Sequence, residues 1–363
     1  MANALQHVAW EPALIEPRPH PSLESYARRR FGMPFPSIRY FTSVPWLARA
    51  MIDLHPEYGL LMHLEQRVAD LLTLIVSQEN SCRFCYAAVR ALLRIQGVSE
   101  ARIQRMEQDL TRADLSPQTV AAIAFGRSQS RSGPPAAREA REALGRAGVG
   151  ANEMKEIAYA VAMTDFTNRV YTILAVPPYQ IEGMPDQLFM RLLRPLINHL
   201  VLSHHSRGRA TPLERAPSYP YAHVVKLYAG SPIAPALGRT LEEMWASAHL
   251  TRRCKLLILA VVARGLACEV CALEVGKALH EEGLKEATLT EILTHLDAPE
   301  LDPIERLLVP FARETIWYQP APLQRRARAL RERLSGAQLV EAIGVVSLAN
   351  GFCRLGASVT EHA

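Results

Sequence analysis

The sequence predicts an all-α protein made of two tandem copies of one helical domain. Three observations carry that expectation. Apolar residues recur at helical spacing, as in Val68, Leu71, Leu72 and Ile75, which share one face of a helix. No stretch sustains the period-two alternation that a half-buried strand requires. Finally, LLTLIVSQENSCRFCYAAVRALL in the first half has a counterpart, LLILAVVARGLACEVCALEVGKAL, in the second.

Each of those segments opens on a Leu-Leu pair (71–72 and 256–257) and runs as an apolar helix into a Cys-x-x-Cys. A second helix then stops near a glycine, Gly97 or Gly283. The register extends both ways. Pro36 precedes Cys82 by 46 residues and Pro220 precedes Cys268 by 48; Asn168 follows Cys82 by 86 and Asn350 follows Cys268 by 82. Between these landmarks, Ser116-Pro117 starts a helix, and Ser132-Gly-Pro-Pro135 breaks the chain before the next. Gly145, Gly148 and Gly150 break it again before a helix over 152–174. Pro177-Pro178 close the first unit. The expected organisation is an extension over 1–35, a first copy over 36–180, a linker over 181–219 with one helix at 186–202, and a second copy over 220–363.

Composition agrees with two domains. The chain of 363 residues is long for one core, and 49% hydrophobic residues supply two. A net charge of +5, with Arg scattered on helix-like stretches such as 325–333, gives no basic stripe for nucleic acid. No run reaches the roughly 18–20 apolar residues that span a bilayer; the run Leu256 to Ala263 reads as a buried helix. The N-terminus lacks the basic-then-apolar pattern of a secretory signal, so a cytoplasmic protein is expected. Its prolines suggest an extended arm packed over the surface.

Four of the six cysteines form the two Cys-x-x-Cys pairs, a pattern more often redox-active or metal-binding than structural. A helix N-terminus favours thiolate, and this spacing suits attack by one thiol and resolution by the other. Arg83 lies between Cys82 and Cys85, whereas Glu269 lies between Cys268 and Cys271 with Glu274 one turn on. The first pair is therefore expected to be the more reactive, with Cys268 and Cys271 a candidate second site. Asp70, Glu79 and Tyr86 are near in sequence as proton donors or pocket walls. Cys254 and Cys353 read as ordinary buried cysteines. A zinc site joining the two pairs is set aside, and His199, His204 and His205 read as solvated residues; no metal or cofactor is expected.

Together these features resemble the carboxymuconolactone decarboxylase superfamily, in its alkylhydroperoxidase D-like branch, over roughly 36–176 and 220–357. The parts that carry the resemblance are the apolar helix with a small-residue end, the Cys-x-x-Cys opening the next helix, the glycine-terminated helix, and a late helix ending in Asn168-Arg169 or in Asn350 with Arg354. The resemblance implies an alkylhydroperoxidase D-like domain in two copies, a pocket lined by the two-cysteine helix with Asn168 and Arg169 nearby, and a homo-oligomer. It implies that Cys85 attacks and Cys82 resolves. Its peroxidase members use a Glu three helical turns before the first Cys and a His one turn after the second. Here the acid position holds Asp70 in the first copy and Leu256 or Lys255 in the second, and the His positions hold Val89 and Val275.

The leading functional expectation is a thiol-dependent oxidoreductase that reduces a peroxide or exchanges disulfides with a thiol protein, mainly through the first copy. The alternatives are a non-redox lyase or specialised-metabolism enzyme using the same pocket, and a non-catalytic oligomeric scaffold. Expected partners are a small-molecule substrate or peroxide and a thiol reductant, with no nucleic acid and no membrane.

Overall fold

The computed structural model describes residues 5, 7–32, 34–56, 59–108, 114–131, 134–178, 207–213 and 218–359. The linker helix expected at 186–202, and His199, His204 and His205, lie outside these residues. Among the described residues there are sixteen α-helices and no strand, only an isolated bridge between Thr211 and Gly230. The protein is all-α.

Helix α1 (Pro21–Phe31), a 3-10 turn (Pro36–Tyr40) and α2 (Pro45–Asp53) lead into the first helical series. That series continues with α3 (Gln66–Glu79), α4 (Arg83–Ile95), α5 (Glu100–Gln108), α6 (Pro117–Arg131), α7 (Pro134–Arg146) and α8 (Ala151–Ile173). After α9 (Ala222–Leu227) a second series follows: α10 (Ile233–Ala246), α11 (Arg252–Gly265), α12 (Glu269–Glu281), α13 (Glu286–His295), α14 (Pro303–Glu314), α15 (Pro320–Arg331) and α16 (Gly336–Val359). From α3 and α11 onward the two series match in order and nearly in length.

The contacts match as well. Helix α3 packs on α4, α6 and α8, and α11 packs on α12, α14 and α16. The two long helices α8 and α16 lie against each other at the centre, α7 packs on α16, and α15 packs on α8. Gly351 permits this approach: a Cβ there would stand 2.9 Å from the Ala162 carbonyl oxygen. Helix α8 is buried on all faces from Glu156 to Ile173, as expected for a helix at the middle of a large core. Gly336–Gly356 is long and apolar enough by composition to cross a membrane, with mean hydropathy 1.3, yet the hydropathy window it contains is entirely buried within the protein. Gln338, Glu341 and Asn350 interrupt its apolar residues.

Local chemistry explains the element ends. Ser116 Oγ accepts from the Thr119 N–H and caps α6. Gly97 and Gly283 take positive φ after α4 and α12, and the following N–H groups, of Val98 and Leu284, return to the carbonyls of Leu93 and Leu279. Five residues into each central helix stands a buried carboxylate. Glu156 accepts the backbone N–H groups of Met62, His63 and Leu64 at 2.7–2.8 Å, and Glu341 accepts Leu250 N–H at 3.1 Å and pairs with buried Lys255 at 2.8 Å. Both hold the approach to the helix before a Cys-x-x-Cys. Glu156→Ala would orphan three donors, so it is expected to cost on the order of 3 kcal/mol, read as a shift in the urea unfolding midpoint; a change under about 1 kcal/mol would show that the loop finds other acceptors.

The N-terminal arm runs over the surface, as its prolines suggested. Trp10 Nε1 donates to the Val176 carbonyl, Leu14 N–H to Leu174, and Arg328 of α15 to Pro12. The Arg-rich face of α15 is partly engaged in holding this arm.

Candidate functional site

Both Cys-x-x-Cys motifs fold in the same way. Helices α3 and α11 each end in a tight turn whose last residue, Ser81 or Ala267, has φ of 51°. The next residue, Cys82 or Cys268, is the N-cap of the following helix, and its N–H returns to Ser77 or Ala263 at 2.9 Å. The second cysteine, Cys85 or Cys271, falls three residues on, within the first turn. All four thiol groups are buried.

In the first pair Cys82 and Cys85 are free thiols. Burial pushes Cys82 up, but hydrogen bonds from Cys85, from the Thr172 hydroxyl and from the Phe84 backbone outweigh it and hold Cys82 below the usual thiol range. Burial, then the hydrogen bond and charge of Cys82, push Cys85 well above that range. Cys82 is thus held low and Cys85 high. Tyr318, from the connection between α14 and α15, reaches Thr172 Oγ1 and the Asn168 carbonyl with its hydroxyl, so a chain of hydroxyls adjoins this pair. Arg83, expected to activate the thiols, donates instead to the Val8 carbonyl of the arm at 3.3 Å.

The other residues expected here are engaged elsewhere. Asp70 accepts from Gln66 at 3.0 Å and from Gln96 at 2.8 Å. Gln96 is the C-cap of α4, about 20 Å along that helix from Cys82, so Asp70 is not brought to the thiols. Glu79 pairs with Arg127 and Arg131 of α6. Tyr86 donates to Glu107 at 2.6 Å and accepts from Arg90, facing α5 and not a pocket. Asn168 accepts from Ser77 at 3.1 Å. Arg169 is fully buried, pairs with Asp165 at 3.3 Å and lies over the Tyr318 ring at 4.9 Å.

Among the described residues, the second pair has a histidine partner that the first does not. The sulfurs of Cys268 and Cys271 lie near disulfide distance, with Cα atoms 5.3 Å apart. His223, in the first turn of α9, places Nε2 3.6 Å from Cys271 Sγ. Its Nδ1 faces Glu274 Oε2 at 2.9 Å, and the same oxygen accepts Tyr221 N–H at 2.6 Å. Glu274 was expected to oppose thiolate; its charge is committed to the imidazole. Burial raises the Glu274 carboxyl, but the His223 contact and the Tyr221 N–H outweigh it and hold it below its ordinary value. With Nδ1 turned to the carboxylate, Nε2 is the nitrogen that can exchange a proton with Cys271.

Helix α16 closes this site. Gly356 lets it approach: a Cβ there would lie 3.3 Å from His223 Nε2, 3.4 Å from Cys268 Sγ and 3.6 Å from Cys271 Sγ. Cys353 is not an ordinary buried cysteine. Its sulfur lies within 4.8 Å of both Cys268 and Cys271, and the Tyr221 hydroxyl is 3.1 Å from it. Cys254 is separate, buried in the first turn of α11.

Sequence reasoning missed His223, Tyr221, Thr172 and Tyr318. It also paired Asn168 with Asn350, whereas counting from the starts of α8 and α16 pairs Asn168 with Cys353, Asp165 with Asn350 and Arg169 with Arg354. The contacts follow that register, since Arg169 donates to the Thr315 carbonyl at the end of α14 and Arg354 to the Gln129 carbonyl near the end of α6. The described clefts lie around Met62, His63, Asn152 and Tyr228, and no cysteine lines them. Comparison with protein-family models, with curated proteins and with solved structures finds no match for the chain.

Proposed function

We propose that the protein is a thiol-dependent oxidoreductase in which Cys268 and Cys271 cycle between dithiol and disulfide, with His223 as the proton partner of Cys271. The observation that carries this reading is the line Cys271, His223, Glu274. A carboxylate orients an imidazole, and the imidazole faces a cysteine that has a second cysteine at bonding range. The alkylhydroperoxidase D-like resemblance supports it from the motif side, with the histidine supplied by another helix in place of Val275. The matched helical series support descent of the two halves from one unit, the second having kept or gained the proton relay.

Against a hydroperoxide the steps balance as follows. His223 takes the Cys271 proton, and the thiolate attacks the O–O bond, forming S–O as the alcohol leaves with that proton. Cys268 then attacks the sulfenic sulfur, forming S–S and releasing water. A dithiol reductant returns two electrons and two protons. A cytoplasmic setting would supply such a donor.

The exposed apolar side chains support a docking role beside the thiols. Among the described residues the large exposed ones are Val270, Leu273 and Trp317, at 41%, 75% and 67%. Val270 and Leu273 flank Cys271, and Trp317 adjoins Tyr318 at the first pair. Apolar patches beside a reactive site fit a protein reductant or a second copy of the chain.

The test is peroxide consumption with a dithiol donor. Cys271→Ser is expected to abolish turnover, while Cys85→Ser keeps most of it. The reverse ranking would return the chemistry to the first pair, and activity that survives loss of all four cysteines would replace this reading with the lyase.

A further inference from the structure

The group around Cys353 has more donors than a dithiol cycle uses. Cys268 and Cys271 at one helix N-terminus and Cys353 from α16 bring three sulfurs together, and His223 of α9 adds an imidazole nitrogen beside Cys271. We infer that the reduced protein binds one zinc ion through Sγ of Cys268, Cys271 and Cys353 and Nε2 of His223.

The geometry suits a tetrahedral ion. Zn–S bonds of about 2.3 Å and a Zn–N bond of about 2.0 Å give N···S edges of about 3.5 Å and S···S edges of about 3.8 Å. The His223 Nε2 to Cys271 Sγ separation is 3.6 Å, and the three sulfurs lie within 4.8 Å of one another. Reduction of the disulfide frees two of those sulfurs to take their edges. The cysteine spacing, two residues between ligands at a helix start, is that of structural zinc knuckles.

The surroundings also fit. A zinc ligand histidine commonly turns its other nitrogen to a carboxylate, and Glu274 holds that position on His223. Three thiolates, a neutral imidazole and a divalent ion carry a net charge of −1, and the buried Arg354 acts on Cys353 as a neighbouring positive charge. Binding to the metal takes the proton from Cys353 along with those of the other two thiols. Binding releases the thiol protons and needs no oxidant or reductant. Disulfide formation removes two of the four ligands, so oxidation and metal binding exclude each other.

The first half provides an internal control. Cys82 and Cys85 are present, but the position matching Cys353 is Asn168.

The full chain, reduced by a phosphine, freed of reductant and kept anaerobic, would be titrated with Co(II) and then with Zn(II). Expected are one equivalent per chain, thiolate-to-cobalt charge transfer with intense tetrahedral visible bands, and displacement by zinc. Cys353→Ser should lower the charge-transfer intensity by about a third, in proportion to the thiolates left. Glu274→Gln should weaken binding about 10- to 100-fold, and Cys82→Ser with Cys85→Ser should change nothing. Circular dichroism checks that each variant folds, and Cys268→Ala serves if Cys353→Ser does not. Absence of the bands, spectra that depend on Cys82 and Cys85, or a Cys353→Ser titration identical to wild type would overturn the site. The titration does not depend on turnover, so it stands apart from the peroxidase test.

Discussion

Asp165→Ala is expected to destabilise the fold by about 3–5 kcal/mol, the range for removing one partner from a buried ion group. Asp165 Oδ1 takes Asn80 Nδ2 at 2.6 Å and Arg169 Nη1 at 3.3 Å, and Oδ2 takes Arg354 Nε at 3.2 Å. All three charged side chains are buried where α8 meets α16. Burial pushes the Arg354 guanidinium down to about 10, with Asp165 pulling it up and Arg169 pushing it down, so Arg354 stays charged at neutral pH. Without the carboxylate, the two buried guanidinium groups lose the counter-charge that they share. Asp165→Asn keeps the volume and should lose nearly as much, because the missing quantity is charge. Chemical denaturation measures both variants. A loss below about 1 kcal/mol in each would mean that the arginines reach solvent or other acceptors.

His223→Ala is expected to slow peroxide-dependent oxidation of the reduced protein by roughly 100- to 10,000-fold, the span attributed to a positioned general base or acid. The alanine removes the imidazole that links Cys271 to Glu274. Glu274→Gln should have a smaller effect, because it keeps a hydrogen-bonding side chain beside Nδ1 and loses the charge that fixes the ring. Stopped-flow measurement of disulfide formation separates the two. Equal rates for wild type and His223→Ala would remove the imidazole from the mechanism.

Much of the fold was legible because its signals are local. Apolar spacing marked the helices around Leu71 and Leu256, and glycines at positive φ closed α4 and α12 where the sequence stops at Gly97 and Gly283. The position of each first cysteine as an N-cap follows from the same short-range pattern. The site was legible only in part, because its proton partner is not local. His223 is 48 residues from Cys271 in sequence, and Cys353 is 85 residues beyond Cys268. Matching Pro36 with Pro220 located the segment that begins at Tyr221, yet nothing in Tyr-Ala-His marks it as facing a thiol. Charges read from neighbours in sequence also leave out tertiary contacts. Arg83 donates to the Val8 carbonyl and Glu274 faces His223, contacts that a reading of sequence neighbours does not include. Asp70 misled for a related reason, since a shared helical hairpin can leave two residues at its opposite ends.

The most direct measurement is limited alkylation of the fully reduced chain at neutral pH, with the label on each cysteine read by mass spectrometry in wild type and in His223→Ala. Cys271 should react ahead of Cys82 and Cys85 in wild type and fall behind them once the imidazole is gone. Faster labelling of the first pair in wild type, or a Cys271 rate unchanged by the substitution, would contradict the assignment of the chemistry to the second dithiol.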